Sequence, residues 1–499
     1  MSQKLIELRE HLAQHQTSGL RLTGLKWYSG LGGGPQQQPL GLMEGCFVMD
    51  LPESAPSLDL SGFTLLPGLC DAHLHLFGEA QRRARVDLAG ISRREELWQR
   101  LQAGPAEGPL VAMAWDESEW DDPRFPLRAE LDHRFPGREV MLVRVCGHVV
   151  VASGAALAHM EEAPILGNLE QGLLLEGEAI AIRRHFTLSP AELLREAKIV
   201  AAELAAEGIT AVTEMGANQL LEVVALLDDD FPLRVEFYHH ETAGKSLDLH
   251  GPDLGLHKAL GRKFFLDGSI GGRSAALDVN YQDGGQGELL WTDDYLDQAL
   301  ADLLAQGYQA ALHAIGTRAV DQALQALERC QAPAGSARIE HLETARPHQL
   351  EAMVSRGIGA GFQPNFFDRW GRPGGLYQQR LGDGYQELFP GPADLRRAGL
   401  SPAYGTDGMP RDLWGAMRAA ADESAFGSAV DSAEGILAAV SHDAARLARR
   451  EEVRGSVSQG LSADFAIFEN DPVAEAFSRK SRPRLSVLAG RVTAFREDD

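Results

Sequence analysis

The stretch YQAALHAIGTRAVDQALQALERC (308–330), followed by ARIEHLE (337–343), RPHQLEAMVSRG (346–357) and GIGAGFQP (357–364), decides the fold. Short apolar runs alternate in it with longer segments whose apolar residues recur at helical spacing. It therefore reads strand, helix, strand, helix, strand. The same alternation extends in both directions. Upstream, PAELLREAKIVAAELAAEG (190–208) is an amphipathic helix with Ser189 as N-cap, Pro190 in its first turn and Gly208 at its end. ITAVTEM (209–215), LRVEFYHH (233–240) and RKFFLDG (262–268) read as strands, with helices around NQLLEVVALL (218–227) and DDYLDQALADLLAQG (293–307). Downstream, the strand PAYGTDG (402–408) precedes helices around LWGAMRAAADE (413–423) and AEGILAAVSHDAARLARR (433–450). With FTLLPGLCDAHLHL (63–76) the count reaches eight strands, most followed by a helix. Repeated strand–helix units give a parallel sheet, and eight of them fit a closed (β/α)8 TIM barrel over residues 65–446.

The spacing is uneven in one place. Strands one and two lie about 135 residues apart, where a strand–helix unit needs roughly 30 to 40. An insertion over about 80–190 accounts for the excess. Its strand-like runs PLVAMAWDE (109–117), REVMLVRVCGHVVVA (138–152) and GLLLEGEAIAI (172–182) predict a small subdomain above the barrel mouth. LRLTGLKWY (20–28) and GCFVMDLP (45–52) before the barrel, and GSVSQGLSADFAIFENDP (455–472) and RLSVLAGRVTAF (484–495) after it, read as antiparallel strands. Residues 1–64 and 447–499 are expected to pair into one composite β-sandwich domain, with SGLGGGPQQQPLG (29–41) a flexible surface loop.

Composition narrows the function. The chain has 499 residues, and its 71 acidic against 47 basic residues give a net charge of −24, which disfavours nucleic acid and anionic membranes as partners. No run of 18 apolar residues suggests a membrane span. The polar, helix-like start MSQKLIELREHLAQHQ does not read as a secretory signal. Cys46, Cys70, Cys146 and Cys330 lie far apart without a Cys-x-x-Cys pair, so the expectation is a reduced, cytoplasmic protein with buried thiols.

The chemistry starts at Asp71-Ala-His73-Leu-His75. Side chains at i and i+2 of a strand share a face, so His73 and His75 can share one metal. They stand at the end of strand one, where a barrel places catalytic groups. His313 ends strand five, His341 strand six and Asp407 strand eight, so all five side chains can converge on one pocket. Lys263 opens strand four in an otherwise apolar run. Buried beside a metal, its amine would be pushed towards neutrality. It could then take up carbon dioxide as an anionic carbamate; the other reading is a lysine snorkelling at the rim. His239 and His240 end strand three and match no expected ligand. Phosphate-loop, dinucleotide, His-Glu-x-x-His and Gly-x-Ser-x-Gly motifs are absent from the sequence.

Taken together, LLPGLCDAHLH (65–75), AWDESEWDDPRFPLRAELD (114–132), VCGHVVVASGAAL (145–157), KFFLDGSIGGRSAAL (263–277), LHAIGTRAVDQAL (312–324), RIEHLE (338–343) and GSVSQGLSADFAIFENDP (455–472) resemble the amidohydrolase superfamily. The branch they resemble is amidohydrolase family 3, which contains the N-substituted formamide deformylases. The resemblance implies one or two divalent metals, zinc in type, held by His73, His75, His313 and His341. It also implies Lys263 as an N6-carboxylated bridge and Asp407 as ligand and proton shuttle. The implied reaction is hydrolysis of a non-peptide carbon–nitrogen bond of a small amide-type molecule, by metal-activated hydroxide attacking a carbonyl. His148 is the candidate oxyanion donor, and Arg273 and Asp116 are candidates for substrate binding, each with an ion-pair or turn role as the alternative.

The chain departs from the family pattern at Thr317, Cys146-Gly147-His148, Glu214 and the neighbours of Asp407, which leaves the substrate open. A deaminase on the same barrel would use a glutamate after strand five, and HAIGTR has none. A non-catalytic binding protein is the alternative from another class. A homodimer is left open. PNFFDRW (364–370) offers aromatic residues for packing or for an apolar substituent.

Overall fold

The structure is a computed structural model that describes residues 3–14, 19–117, 120–144, 149–160, 167–175, 177–216, 220–241 and 255–497. Its frame is a sheet of eight parallel strands, hydrogen-bonded in sequence order. They are β1 (Leu69–Leu74), β2 (Ile209–Glu214), β3 (Arg234–His240), β4 (Lys258–Phe265), β5 (Gln309–Ala314), β6 (Ala337–His341), β7 (Gly359–Phe362) and β8 (Ala403–Tyr404). Strands one, two and six are buried along their whole length, as expected of a parallel sheet covered outside by helices and filled inside by side chains. Helix Thr317–Arg329 shows why the covering works. It turns Val320, Ala323, Leu324 and Leu327 inward at helical spacing. Helix Pro347–Arg356 starts on its proline and ends at Gly357, whose φ of 64° suits the left-handed cap.

The sheet closes on itself. Past β8, Asp407 N donates to His73 O of β1 at 2.8 Å. Gly405 approaches β1 so closely that a Cβ there would lie 2.4 Å from His73 N. Register then aligns the functional ends: Phe265 of β4 sits opposite His313 of β5, and Ala314 opposite His341 of β6. Lys263 does not open β4 as expected. The strand begins five residues earlier, at Lys258, and Lys263 stands near its C-terminal end, the end where a barrel gathers its chemistry.

The two chain ends share a six-stranded sheet in which Arg491–Phe495, Leu485–Leu488 and Phe465–Phe468 continue into Thr64–Pro67, Lys26–Tyr28 and Pro35–Gln36. A four-stranded sheet of Cys46–Val48, Leu40–Met43, Leu20–Thr23 and Ser57–Asp59 accompanies it. Helix Gln3–Gln14 buries Leu5, Leu8 and Leu12 in the same core as Phe47, Phe465 and Val487. Three expectations change here. Thr64–Pro67 and β1 are separate strands in different sheets, not one run. Two pairings are parallel, Leu20–Thr23 with Ser57–Asp59 and Lys26–Tyr28 with Thr64–Pro67. The glycine-rich segment at 29–41 supplies the short strand Pro35–Gln36, because the backbone amides of Trp27 and Tyr28 offer it an edge.

Residues 77–200 form, with 221–226, a compact unit of their own. It holds a five-stranded sheet ordered Leu173–Leu175, Val149–Ala152, Val140–Arg144, Leu110–Trp115, Val86–Asp87. Apolar clusters cover its faces, one around Trp98, Trp115 and Leu142, the other around Met141, Val150 and Ile182. The run at 172–182 is a strand only to Leu175, and Gly177–Arg183 is helical. Among the described cysteines only Cys70 is buried, while Cys46 and Cys330 are half-buried free thiols, so the expectation of uniformly buried thiols needs correction. No helix among the described residues is long and apolar enough to cross a membrane.

Because Gly405 faces backbone and not a movable side-chain end, Gly405→Ala is expected to destabilise the protein by about 3 kcal/mol through overpacking. Urea denaturation checks this, and an unchanged midpoint would contradict the closure described.

Candidate metal centre

The barrel ends bring His73, His75, Lys263, His313, His341 and Asp407 together. His73, His341 and Asp407 each offer a ligand atom within 4.8 Å of the others, a set able to hold a cation. Asp407 Oδ1 lies 3.2 Å from His75 Nε2 and 3.5 Å from His73 Nε2. Lys263 Nζ lies 3.4 Å from His73 Nε2 and is fully buried. The ring of His341 packs 4.7 Å from that of His73 and 4.5 Å from that of His313.

Each histidine has one nitrogen fixed or left over in a way that suits metal binding. His73 Nδ1 meets Glu340 Oε2 at 2.6 Å, and His75 Nδ1 meets the carbonyl of Gly216 at 3.2 Å, which leaves Nε2 of both towards Asp407. His313 is reversed: its Nε2 meets the carbonyl of Gly268 at 3.0 Å. Nδ1 of His313 and Nδ1 of His341 are buried without a hydrogen-bond partner. Buried polar nitrogens without partners are costly, and a cation satisfies them.

Electrostatics favour the ligand forms. Burial, reinforced by Lys263, holds the pKa of His73 well below the ordinary histidine value. Burial and the neighbouring histidines do the same to His341, and burial with Lys263 brings His313 to about 4. All three rings are thus neutral at pH 7 and keep a lone pair. Burial also lowers Lys263, to about 8, against the opposing pull of Glu340 and Asp407. Burial alone would raise Asp407, but the His75 hydrogen bond and the charges of His75 and Lys263 outweigh it, and its pKa falls.

A second layer positions these groups. Asp71 accepts from His73 N at 3.2 Å, Thr406 N at 3.0 Å and Thr406 Oγ1 at 2.6 Å, joining β1 to the segment that carries Asp407. Glu340 is held by Arg338, which also donates to Ala72 O at 2.8 Å. Asp267 accepts from Ala276 N, Ile315 N and Gly316 N at 2.9, 3.1 and 2.7 Å, fixing the turn after His313. His341 and Asp407 carry positive φ, 72° and 56°, in a region that non-glycine residues adopt at a cost of about 1–3 kcal/mol each. Sequence reading missed Glu340, Asp267 and the role of Asp71. The available signal was charge inside strands: Arg338 and Glu340 alternate on one face of a barrel strand, where a charge needs a partner.

The remaining expected residues fall elsewhere. Arg273 is an exposed loop residue whose Nε pairs with Asp283 Oδ2 at 2.6 Å. Asp116 pairs with Arg144 at 3.0 Å inside the insertion. His148 lies outside the described residues. Glu214 is buried 3.9 Å from His75 Nδ1, and Thr317 Oγ1 donates to Asp278 at 2.9 Å. His239 is buried beside Arg262, whereas His240 is exposed and packs edge-on against Phe265, which lies 5.2 Å from the His313 ring. In 364–370, Phe366 lies parallel to His341 at 6.0 Å and Phe367 packs into a buried aromatic cluster.

The amidohydrolase family model matches residues 57–494. The chain belongs to the amidohydrolase family. This amidohydrolase is 24% identical to YtcJ of Bacillus subtilis (strain 168) over 464 residues, covering 84% of the chain and 86% of YtcJ. It is 26% identical over 473 residues to the N-substituted formamide deformylase of Arthrobacter pascens, with the same two coverages, 84% and 86%. Among solved structures, an uncharacterized metal-dependent hydrolase of Pyrococcus horikoshii superposes with a TM-score of 0.81 at 23% identity, covering 93% of this chain and 99% of that one. The family, with a ligand set in the barrel mouth, makes the protein a metal-dependent hydrolase.

Glu340→Gln weakens the acceptor that orients His73. Zinc affinity is expected to fall about 10- to 100-fold, read by competition with a chromogenic chelator; unchanged affinity would remove Glu340 from the centre.

Proposed function

We propose that this amidohydrolase cleaves carbon–nitrogen bonds of non-peptide amides, with N-substituted formamides as the nearest substrate type. The centre would hold one or two divalent ions, zinc in the first instance, through His73, His75, His313, His341 and Asp407, with Lys263 as an N6-carboxylated bridge. When bound, such an ion polarises a carbonyl and acidifies water. The observation that carries the reading is Lys263 Nζ, fully buried 3.4 Å from a histidine nitrogen and lowered by that burial to about 8. A bridging lysine suits this reaction and not the deaminase alternative, which would use a glutamate after strand five.

The chain's own groups supply the proton path. Asp407 is ionised at neutral pH because the hydrogen bond from His75 and the charges of His75 and Lys263 favour its carboxylate. Its carboxylate can accept the proton of the attacking water and release it to the leaving nitrogen. Neutral His73, His313 and His341 stay out of that exchange, since burial keeps their proton affinity low. His148 is proposed as the donor to the developing oxyanion, and Phe265 and Phe366 as an apolar flank for the substituent on nitrogen.

A screen of N-formyl and N-acyl amines, cyclic imides and ureas with the zinc- or manganese-loaded enzyme tests the reaction. Turnover of an N-formyl or N-acyl amine is expected; cleavage confined to esters or aminopurines overturns it. His313→Ala should abolish turnover and lower the metal content by one equivalent, measured by elemental analysis. Carbamate formation requires the neutral amine. Since Lys263 titrates at about 8, reconstitution of apoenzyme with zinc and bicarbonate should speed up as pH rises from 6 and level off above about 8. Lys263→Met should show no bicarbonate dependence, and a pH-independent wild-type rate would count against the carbamate.

A further inference from the structure

Away from the barrel mouth, a pocket of about 250 Å3 opens beside helix Leu413–Ala420, with Trp414 and Pro483 as its apolar wall. Four arginines line it, Arg418, Arg479, Arg482 and Arg496, against two carboxylates, Glu207 and Asp412. Both carboxylates are already engaged. Asp412 caps its helix by accepting from Gly415 N at 2.7 Å and meets Arg418 Nη2 at 3.2 Å, while Glu207 lies 3.9 Å from Arg482. Among the described residues Arg479 and Arg496 make no ion pair within 4 Å, and Arg496 acts on Glu207 only at longer range. The pocket lining thus carries four guanidiniums against two carboxylates, an excess of positive charge in a chain whose net charge is −24. Guanidiniums that converge without counter-charge repel one another, and their planar forks match the oxygens of phosphoryl and carboxylate groups.

A second cavity of about 600 Å3 shares Asp412, Arg418 and Arg479 with it and is lined also by Asn365 and Pro410. Asn365 Nδ2 donates to Thr406 O at 3.0 Å and Met409 O at 3.1 Å, and Asp412 N donates to Pro410 O at 2.8 Å. These bonds hold the segment that carries Asp407. We propose that the arginine pocket binds a compact dianion, a phosphoryl group or a small dicarboxylate, and that the bound anion steadies residues 406–418 through Arg418 and Asp412. The proposal does not depend on which bond the enzyme hydrolyses.

Calorimetric titration of the full-length protein with inorganic phosphate and with succinate, at constant ionic strength set by chloride, tests it. Saturable binding of at least one of the two is expected, and whichever binds assigns the class. Arg479 is exposed and Arg496 half-exposed, so R479A/R496A should fold, as an unchanged thermal midpoint in chloride alone would verify. In that variant the affinity should fall about tenfold or more, the size expected for losing charge-assisted contacts. Hydrogen–deuterium exchange across 406–418 should slow with the anion in the wild type and not in the variant. Absence of saturable binding by both anions overturns the proposal, as does binding of undiminished affinity in R479A/R496A, the mark of an adventitious ion or of an anion at the metal centre.

Discussion

A buried carboxylate, Asp71, holds the barrel's first and last strands at the rim by accepting from His73 N, Thr406 N and Thr406 Oγ1. β8 has only two residues, so its ladder alone is a weak closure. The Asp71 bonds, with Asp407 N donating to His73 O, complete the ring and set the distance between His73 and Asp407 in the same act. Gly405 is the steric counterpart, since no side chain fits where the two strands touch. Closure of the fold and assembly of the centre are therefore one constraint.

The rest of the rim follows from burial. A carboxylate, a lysine and four histidines gathered in a low-dielectric mouth would be costly if all were charged. The structure resolves this by neutralising three bases, His73, His313 and His341, which are held far below their ordinary pKa, while Lys263, lowered to about 8, and Asp407 keep opposite charges. The hydrogen bonds that Glu340 and the carbonyls of Gly216 and Gly268 accept then select which nitrogen of three rings faces the centre.

The barrel and the convergence of His73, His75, His313, His341 and Asp407 were legible because both depend on periodicity, whereas Lys263, read as opening its strand, joined them only through the family resemblance. Strand–helix alternation sets the frame, and chemistry-bearing residues at strand ends must meet. What escaped depends on backbone detail that alternation does not encode. The left-handed turns at His341 and Asp407 interrupt strand geometry, so Glu340 and His341, neighbours that a regular strand would point to opposite faces, both serve the site. Asp267 falls inside the run RKFFLDG read as strand four, and only the return of three amides from two later segments reveals its part. Arg273 and Asp116 looked available because their partners, Asp283 and Arg144, are distant enough in sequence to carry no local signal.

The rim also shapes how stability responds to pH, and two effects oppose. Burial raises Asp71 and Asp267 to about 7 and Glu343 to about 8. In the unfolded chain these carboxyls ionise near 4, so the stability they contribute is full below that pH and is lost as pH rises towards 7 or 8. His73, His313 and His341 run the other way. Their contribution is full above the unfolded value of 6.5 and is lost as pH falls, for His313 through about 4. Between roughly 4 and 6.5 the two sets act against each other, which damps the net dependence although each group is strongly perturbed. A divalent ion bound by neutral histidines adds to the second set, because protons compete with it for the same nitrogens. It shifts the balance so that stability should be lost on the acid side first, where the histidines protonate and release it.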